Sequence, residues 1–200
     1  MRVSEDFLRK MQDEKAPGTW IAQPKYDGWR RPAYKADGRW RFHAKRGTGD
    51  EAKRTPPPDV AAALDALALP DGTALDAEWM GPRDIYGKLA GRNYLVVFDM
   101  PYHGGVWQGA VPFAERLASM TTLIALARAK AGKAAELVQV APSADRGWHD
   151  YFAQQKQDPL TEGVVLKEAC SLLVGDLQKA RDNGGWYKVK YRDIHEATKF

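Results

Sequence analysis

A mixed α+β domain is the fold class this sequence predicts, and three observations carry that reading. Short strand-like runs alternate with two or three helical ones along the 200 residues. The run Tyr94-Leu95-Val96-Val97-Phe98-Asp99 is apolar enough for a strand buried on both faces. Between Pro112 and Ala131, Phe113, Leu117, Met120, Leu123, Ile124 and Ala127 recur at helical spacing. The length suits one generous domain, and 44% hydrophobic residues supply a core for it.

Ser4, Glu5 and Asp6 followed by Phe7, Leu8 and Met11 predict a short capped helix, which Pro17-Gly18 ends. Trp20 to Gln23 predicts a strand. Tyr34 to Asp37-Gly38 and Trp40 to Ala44 predict a hairpin, with Asp37-Gly38 as a type I′ turn. Prolines 56, 57 and 58 lead into a helix starting at Asp59, with Val60, Ala63, Leu64 and Leu67 on one face. Pro70-Asp71-Gly72 is a turn before a strand over Thr73–Met80. Beyond the long helix come a strand at Glu136–Val140, a helix at Asp145–Lys156, a strand at Gly163–Leu166 entered through Glu162, and a last strand at Trp186–Lys190. There is no internal repeat.

Net charge is +4, a mild bias toward phosphate-rich partners. Cys170 is the only cysteine, which excludes an internal disulfide or a Cys-rich zinc site. His43, His103, His149 and His195 lack metal-ligand spacing. No apolar run is long enough to cross a bilayer, and the N-terminus has no signal-peptide core, so the expected location is cytoplasmic.

The chemistry gathers around Lys25-Tyr26-Asp27-Gly28-Trp29-Arg30. In an extended segment Lys25 and Asp27 point to the same side, and Gly28 permits a turn or a close approach. A lysine so placed is a candidate nucleophile, or else an ordinary charge at a strand end. Glu78 in Leu75-Asp76-Ala77-Glu78 and Glu162 before Gly163-Val164-Val165-Leu166-Lys167 are separated acids. Brought together they would hold magnesium; apart they are solvated strand ends. Lys188 and Lys190 flank Val189 and share a strand face, which suits a polyphosphate or a protected sheet edge. Phe98 reads as core or as a platform for a nucleobase. Arg46, between Lys45 and Gly47, reads as a phosphate or ribose contact or as a free surface charge.

The order K-Y-D-G-W-R, K-R-G, L-D-A-E, V-V-F-D-M, E-G-V-V-L-K, W-Y-K-V-K resembles the nucleotidyltransferase motifs of ATP-dependent DNA ligases, shared more loosely with RNA ligases and mRNA-capping guanylyltransferases. The likeness runs from about Trp20 to Lys190. Phe98-Asp99-Met100-Pro101-Tyr102-His103-Gly104-Gly105 and Pro112-Phe113-Ala114-Glu115-Arg116-Leu117 resemble an F-D-x-x-Y-x-x-G and P-x-x-x-R segment of the DNA-ligase branch.

The resemblance implies an adenylation domain over residues 1–200, ATP-grasp-like, with antiparallel sheets flanked by helices. It implies that Lys25 becomes covalently adenylated, a step that needs the amine deprotonated and so favours cations nearby. Gln23 stands where many relatives have a glutamate that reads the adenine amino group, and a Gln carbonyl can still accept that bond. Arg30 and Arg46 match arginines near the nucleotide, Glu78 the acid at ribose and metal, and Phe98 the stacking aromatic. Glu162 matches the metal-linked acid, and Lys188 with Lys190 the phosphate-neutralising pair. ATP, magnesium and nicked double-stranded DNA are the implied ligands, for a monomer working in DNA repair, replication or recombination. Few residues follow Lys190, so the OB-fold module that usually comes next is not expected inside this chain. Residues 191–200 would be its truncated start, and a separate OB-fold module is an implied partner. Lys45, Arg46, Lys53 and Arg54 are the expected duplex-binding patch. An RNA ligase, a capping guanylyltransferase or an inactive nucleic-acid-binding relative are the alternatives.

Overall fold

The computed structural model of the chain describes residues 2–43, 58–81, 93–174, 181–182 and 185–191. Two antiparallel sheets face one another, and helices cover their outer sides. The smaller sheet has the order β1-β9-β12, from β1 (Trp20–Tyr26), β9 (Thr161–Glu168) and β12 (Trp186–Lys190). The larger sheet has the order β4-β3-β5-β6-β7. Its strands are β3 (Ala33–Ala36), β4 (Arg39–Phe42), β5 (Ala74–Met80), β6 (Tyr94–His103) and β7 (Val106–Trp107). The short β2 (Trp29–Arg30) joins it at β5, and β8 (Val138–Val140) runs parallel to β6. A two-stranded ribbon, β10 (Leu173–Val174) with β11 (Arg181–Asp182), stands apart.

Alternation along each strand sorts side chains between an outer core and the gap between the sheets. On the smaller sheet Trp20, Ala22, Val164, Leu166 and Val189 turn outward. They pack on Leu8 and Met11 of α1 (Glu5–Glu14) and on Trp148 and Phe152 of α4 (Trp148–Gln155). On the larger sheet Leu75, Ala77, Leu95 and Val97 pack on Val60 and Leu64 of α2 (Pro58–Ala66) and on Phe113, Met120 and Ile124 of α3 (Phe113–Ala131). The partners left facing inward are Gln23, Val165, Lys167, Lys188 and Lys190 from one sheet, and Asp76, Glu78 and Phe98 from the other. A cleft walled mostly by polar residues results, with Val165 and Phe98 as its apolar members.

The hairpin forms as its turn demands, with Asp37 at φ 53° and Gly38 at φ 71°. Four expectations need correcting. Ser4 sits at the N-cap of α1 but makes no side-chain cap bond, so the helix start relies on Glu5 and Asp6 in its first turn. The helix expected from Asp145 begins only at Trp148, because Gly147 takes a left-handed conformation at φ 60° and Asp145 is spent on a bridge to Arg146. The strand expected from Glu136 starts at Val138, because a 3₁₀ turn over Gly132–Ala135 prolongs α3. Glu162 lies inside β9, not ahead of it. No helix among the described residues is long and apolar enough to cross a membrane.

Candidate active site

Lys25 sits where the pairing of β1 with β9 breaks step. Pro24 lies across from Val164 but Tyr26 across from Thr161, so Glu162 and Gly163 together face Lys25. Such a bulge re-aims a side chain. Here it turns Glu162 into the cleft, where one carboxylate oxygen accepts a bond from the Lys25 ammonium and the other from Lys190 Nζ at 2.7 Å. Gly163 is obligatory in this arrangement. Its φ of 149° is one that L side chains rarely adopt, and a Cβ there would lie 1.9 Å from the Val189 carbonyl oxygen. Burial pushes the Glu162 carboxyl up, but the bonds from Lys190 and Lys25 more than offset this and hold it below the ordinary carboxylate range.

Gly28 has a different reason. Its φ is ordinary, but a Cβ would lie 2.8 Å from Glu78 Cγ and from the Trp79 carbonyl oxygen, so only glycine lets the Lys25 loop cross β5. That crossing brings β2 onto β5, with Arg30 opposite Glu78. The Arg30 guanidinium forks onto Asp76 at 2.8 and 2.9 Å, a bidentate pair that fixes its direction.

Burial raises the Glu78 carboxyl from 4.5 to about 7, against the pull of Lys25; Asp76 and Glu162 raise it further, and Arg30 opposes them. A folded-state pKa above the unfolded one means the protonated form favours the fold. The associated stability is therefore fully present below about 4.5 and lost as pH rises through about 7. At roughly 1.4 kcal/mol per pH unit the loss approaches about 3 kcal/mol. Glu78→Gln is accordingly expected to raise the melting temperature at pH 8 and leave it unchanged at pH 4, read by circular dichroism. A stabilisation equal at both pH values would contradict this.

The cleft's other end is built from Gln23 and Phe98. Gln23 is 1% exposed, and its amide nitrogen donates to the Phe98 carbonyl at 3.3 Å. That bond fixes the amide's orientation and leaves Gln23 Oε1 as a buried acceptor with no partner among the described residues. An orphaned buried acceptor is costly unless a ligand satisfies it. Phe98 is half-buried, its ring 6.1 Å from that of Tyr26. Val165, across from both Gln23 and Lys188, is a half-buried apolar residue on the same cleft face.

Of the expected site residues, Lys25, Glu162 and Lys190 touch, and Glu78 lies within their field. Arg30 is drawn in through Asp76, and Gln23 is tied to the Phe98 backbone. Lys188 is exposed on β12, one alternation from Lys190. Arg46 lies outside the described residues, as do Lys45, Lys53, Arg54 and residues 192–200. Asp76 and Val165 are additions that sequence reasoning missed; the period-two spacing of Asp76 from Glu78 was the available signal for the first. Among the described residues no group of three or more His, Cys, Asp or Glu could hold a metal alone. Two carboxylates beside a lysine still fit magnesium, which takes one or two carboxylates and completes its shell with water and phosphate. The orphaned Gln23 acceptor fits the amino group of an adenine.

Comparison with solved structures finds the same fold in DNA ligases. A mycobacterial DNA ligase D complexed with ATP is 20% identical, with a TM-score of 0.59 over 86% of this chain and 54% of that one. The ligase domain of LigD from M. tuberculosis is 19% identical, with a TM-score of 0.61 over 86% of this chain and 53% of that one. The ATP-dependent DNA ligase of bacteriophage T7, in complex with ATP, is 14% identical, with a TM-score of 0.57 over 95% and 67%. The chain spans about half the length of the first two. No family model and no curated protein matches the sequence. The chain shares its fold with these DNA ligases.

Proposed function

We propose that this chain is the catalytic domain of an ATP-dependent polynucleotide ligase that seals nicks with 5′-phosphate and 3′-hydroxyl ends in DNA. The observation that carries the reading is the Lys25–Glu162–Lys190 contact at one end of a cleft whose other end offers the unpartnered Gln23 acceptor. Lys25 Nζ attacks the α-phosphorus of ATP. The N–P bond forms, the bond from that phosphorus to the bridging oxygen breaks, pyrophosphate leaves, and the amine proton passes to solvent. AMP then moves to the 5′-phosphate at the nick, and the 3′-hydroxyl displaces it as the strand closes.

The residues around Lys25 chiefly position groups and neutralise charge. Gln23 Oε1 accepts from the adenine amino group, with Phe98 and Val165 as apolar walls for the base. Arg30, held by Asp76, meets the ribose and phosphates, a role the resemblance also gives to Arg46, and Lys188 and Lys190 meet the phosphate charge. Magnesium bound through Glu78 and Glu162 would supply further charge neutralisation at the phosphates. Gln23 also favours ATP over GTP, because guanine would set its carbonyl oxygen against the locked acceptor. This disfavours a capping guanylyltransferase. Equal concentrations of nicked DNA and nicked RNA, each with ATP and magnesium, test the substrate. Faster sealing of DNA is expected, and sealing of RNA alone would overturn the assignment.

A further inference from the structure

Further along β9 lies a buried charge that the chemistry above leaves unused. Lys167 stands on β9 between Ile21 of β1 and Trp186 of β12, on the inward face, and is 3% exposed. Its ammonium lies 4.4 Å from the centre of the Phe113 ring and 4.2 Å from that of Trp186. Aromatic faces attract a desolvated cation. The two rings come from different layers, Phe113 from the start of α3 and Trp186 from the smaller sheet.

On the opposite sheet β5 and β6 place Asp76 and Asp99 directly across from one another. Like charges in that relation repel. Each carboxylate is forked by its own arginine, Asp76 by Arg30 and Asp99 by Arg116. Burial lowers the pKa of Lys167 to about 8, while Asp99 and Asp76 pull it up and Arg116 and Arg30 push it down. The two acids and the two rings thus both favour the charged form of Lys167.

We propose that Lys167 is a positioning residue: clamped between Phe113 and Trp186, it neutralises the Asp76–Asp99 pair from the facing sheet and thereby fixes Arg30 in the cleft. This deepens the nucleotide-site reading, since Arg30 is the group delivered to the ligand. Without the ammonium, Asp76 would turn from Asp99 and take the Arg30 fork with it.

Two measurements test it. The first is ATP–magnesium affinity in a Lys25→Ala background, where no covalent step intervenes. Lys167→Met is expected to weaken binding on the order of tenfold while melting stays cooperative, and Lys167→Arg, which keeps the charge, to recover most of it. Trp186→Leu, which removes one ring and leaves the ammonium, is expected to fall between. A Lys167→Met variant that melts lower yet binds ATP as tightly as its parent would show a merely structural role and overturn the proposal. The second needs no nucleotide: Lys167→Met and Asp76→Asn in a thermal double-mutant cycle are expected to be coupled. Additive effects there overturn the proposal. If the parent binds no ATP, the nucleotide reading fails and the cycle alone decides the role of Lys167.

Discussion

Lys25→Ala is expected to abolish sealing of a nick with an ordinary 5′-phosphate, by at least about a thousandfold, and to leave sealing of a pre-adenylated nick largely intact. The first step needs a nitrogen nucleophile, and Lys25 bonds to Glu162 together with Lys190. Lys190 belongs to a different strand and is assigned to phosphate charge. The last step expels AMP and uses no lysine nucleophile, so it should depend on Glu78, Glu162, Lys188 and Lys190. A variant sealing ordinary ends as fast as the parent would remove Lys25 from the chemistry. A variant losing both reactions equally would make its role positional.

The second large effect concerns stability. Arg116 and Asp99 are each 1% exposed in their side chains and joined by two bonds of 3.0 and 2.8 Å. Arg116 also donates to the carbonyl oxygens of Val111 and Ser171, tying α3 to β6 and to the turn after β9. Removing one partner of such a pair strands a buried charge, at a cost of about 3–5 kcal/mol. Arg116→Ala is therefore expected to lower the melting temperature by roughly 10 °C, given the usual scaling for a domain of this size. Asp99→Leu with Arg116→Met should recover much of the loss, since an apolar pair of similar volume leaves no orphan. A loss below about 1 kcal/mol in urea titration would mean that water reaches the pair.

These two predictions differ in how much of them the sequence contained. Lys25, Glu162 and Lys190 were legible as motif residues, but the Lys25–Glu162 contact spans 137 residues of chain and depends on a bulge that no local pattern announces. Arg116 stood out in a ligase-like P-x-x-x-R segment, and its partner Asp99 in the preceding one, yet nothing local showed that they meet. Period-two alternation assigned Lys188 and Lys190 to one face, and the same spacing between Asp76 and Glu78 was there to be read. It carries no information on which faces oppose each other, because that follows from how the two sheets stack. Lys167 shows the same limit. The sequence pattern ended its strand at Leu166, so neither its place inside β9 nor its seat between two rings from different layers was legible. The outer cores were the easiest part, since Val60, Ala63, Leu64 and Leu67 needed only helical spacing to be placed inside.

The central claim is that Lys25 carries AMP, and incubation with α-labelled ATP and magnesium followed by denaturation tests it most directly. The account predicts label that survives denaturation, maps to the peptide containing Lys25, and is absent from Lys25→Ala. Label on another residue, or none on a folded protein that binds ATP, would contradict it.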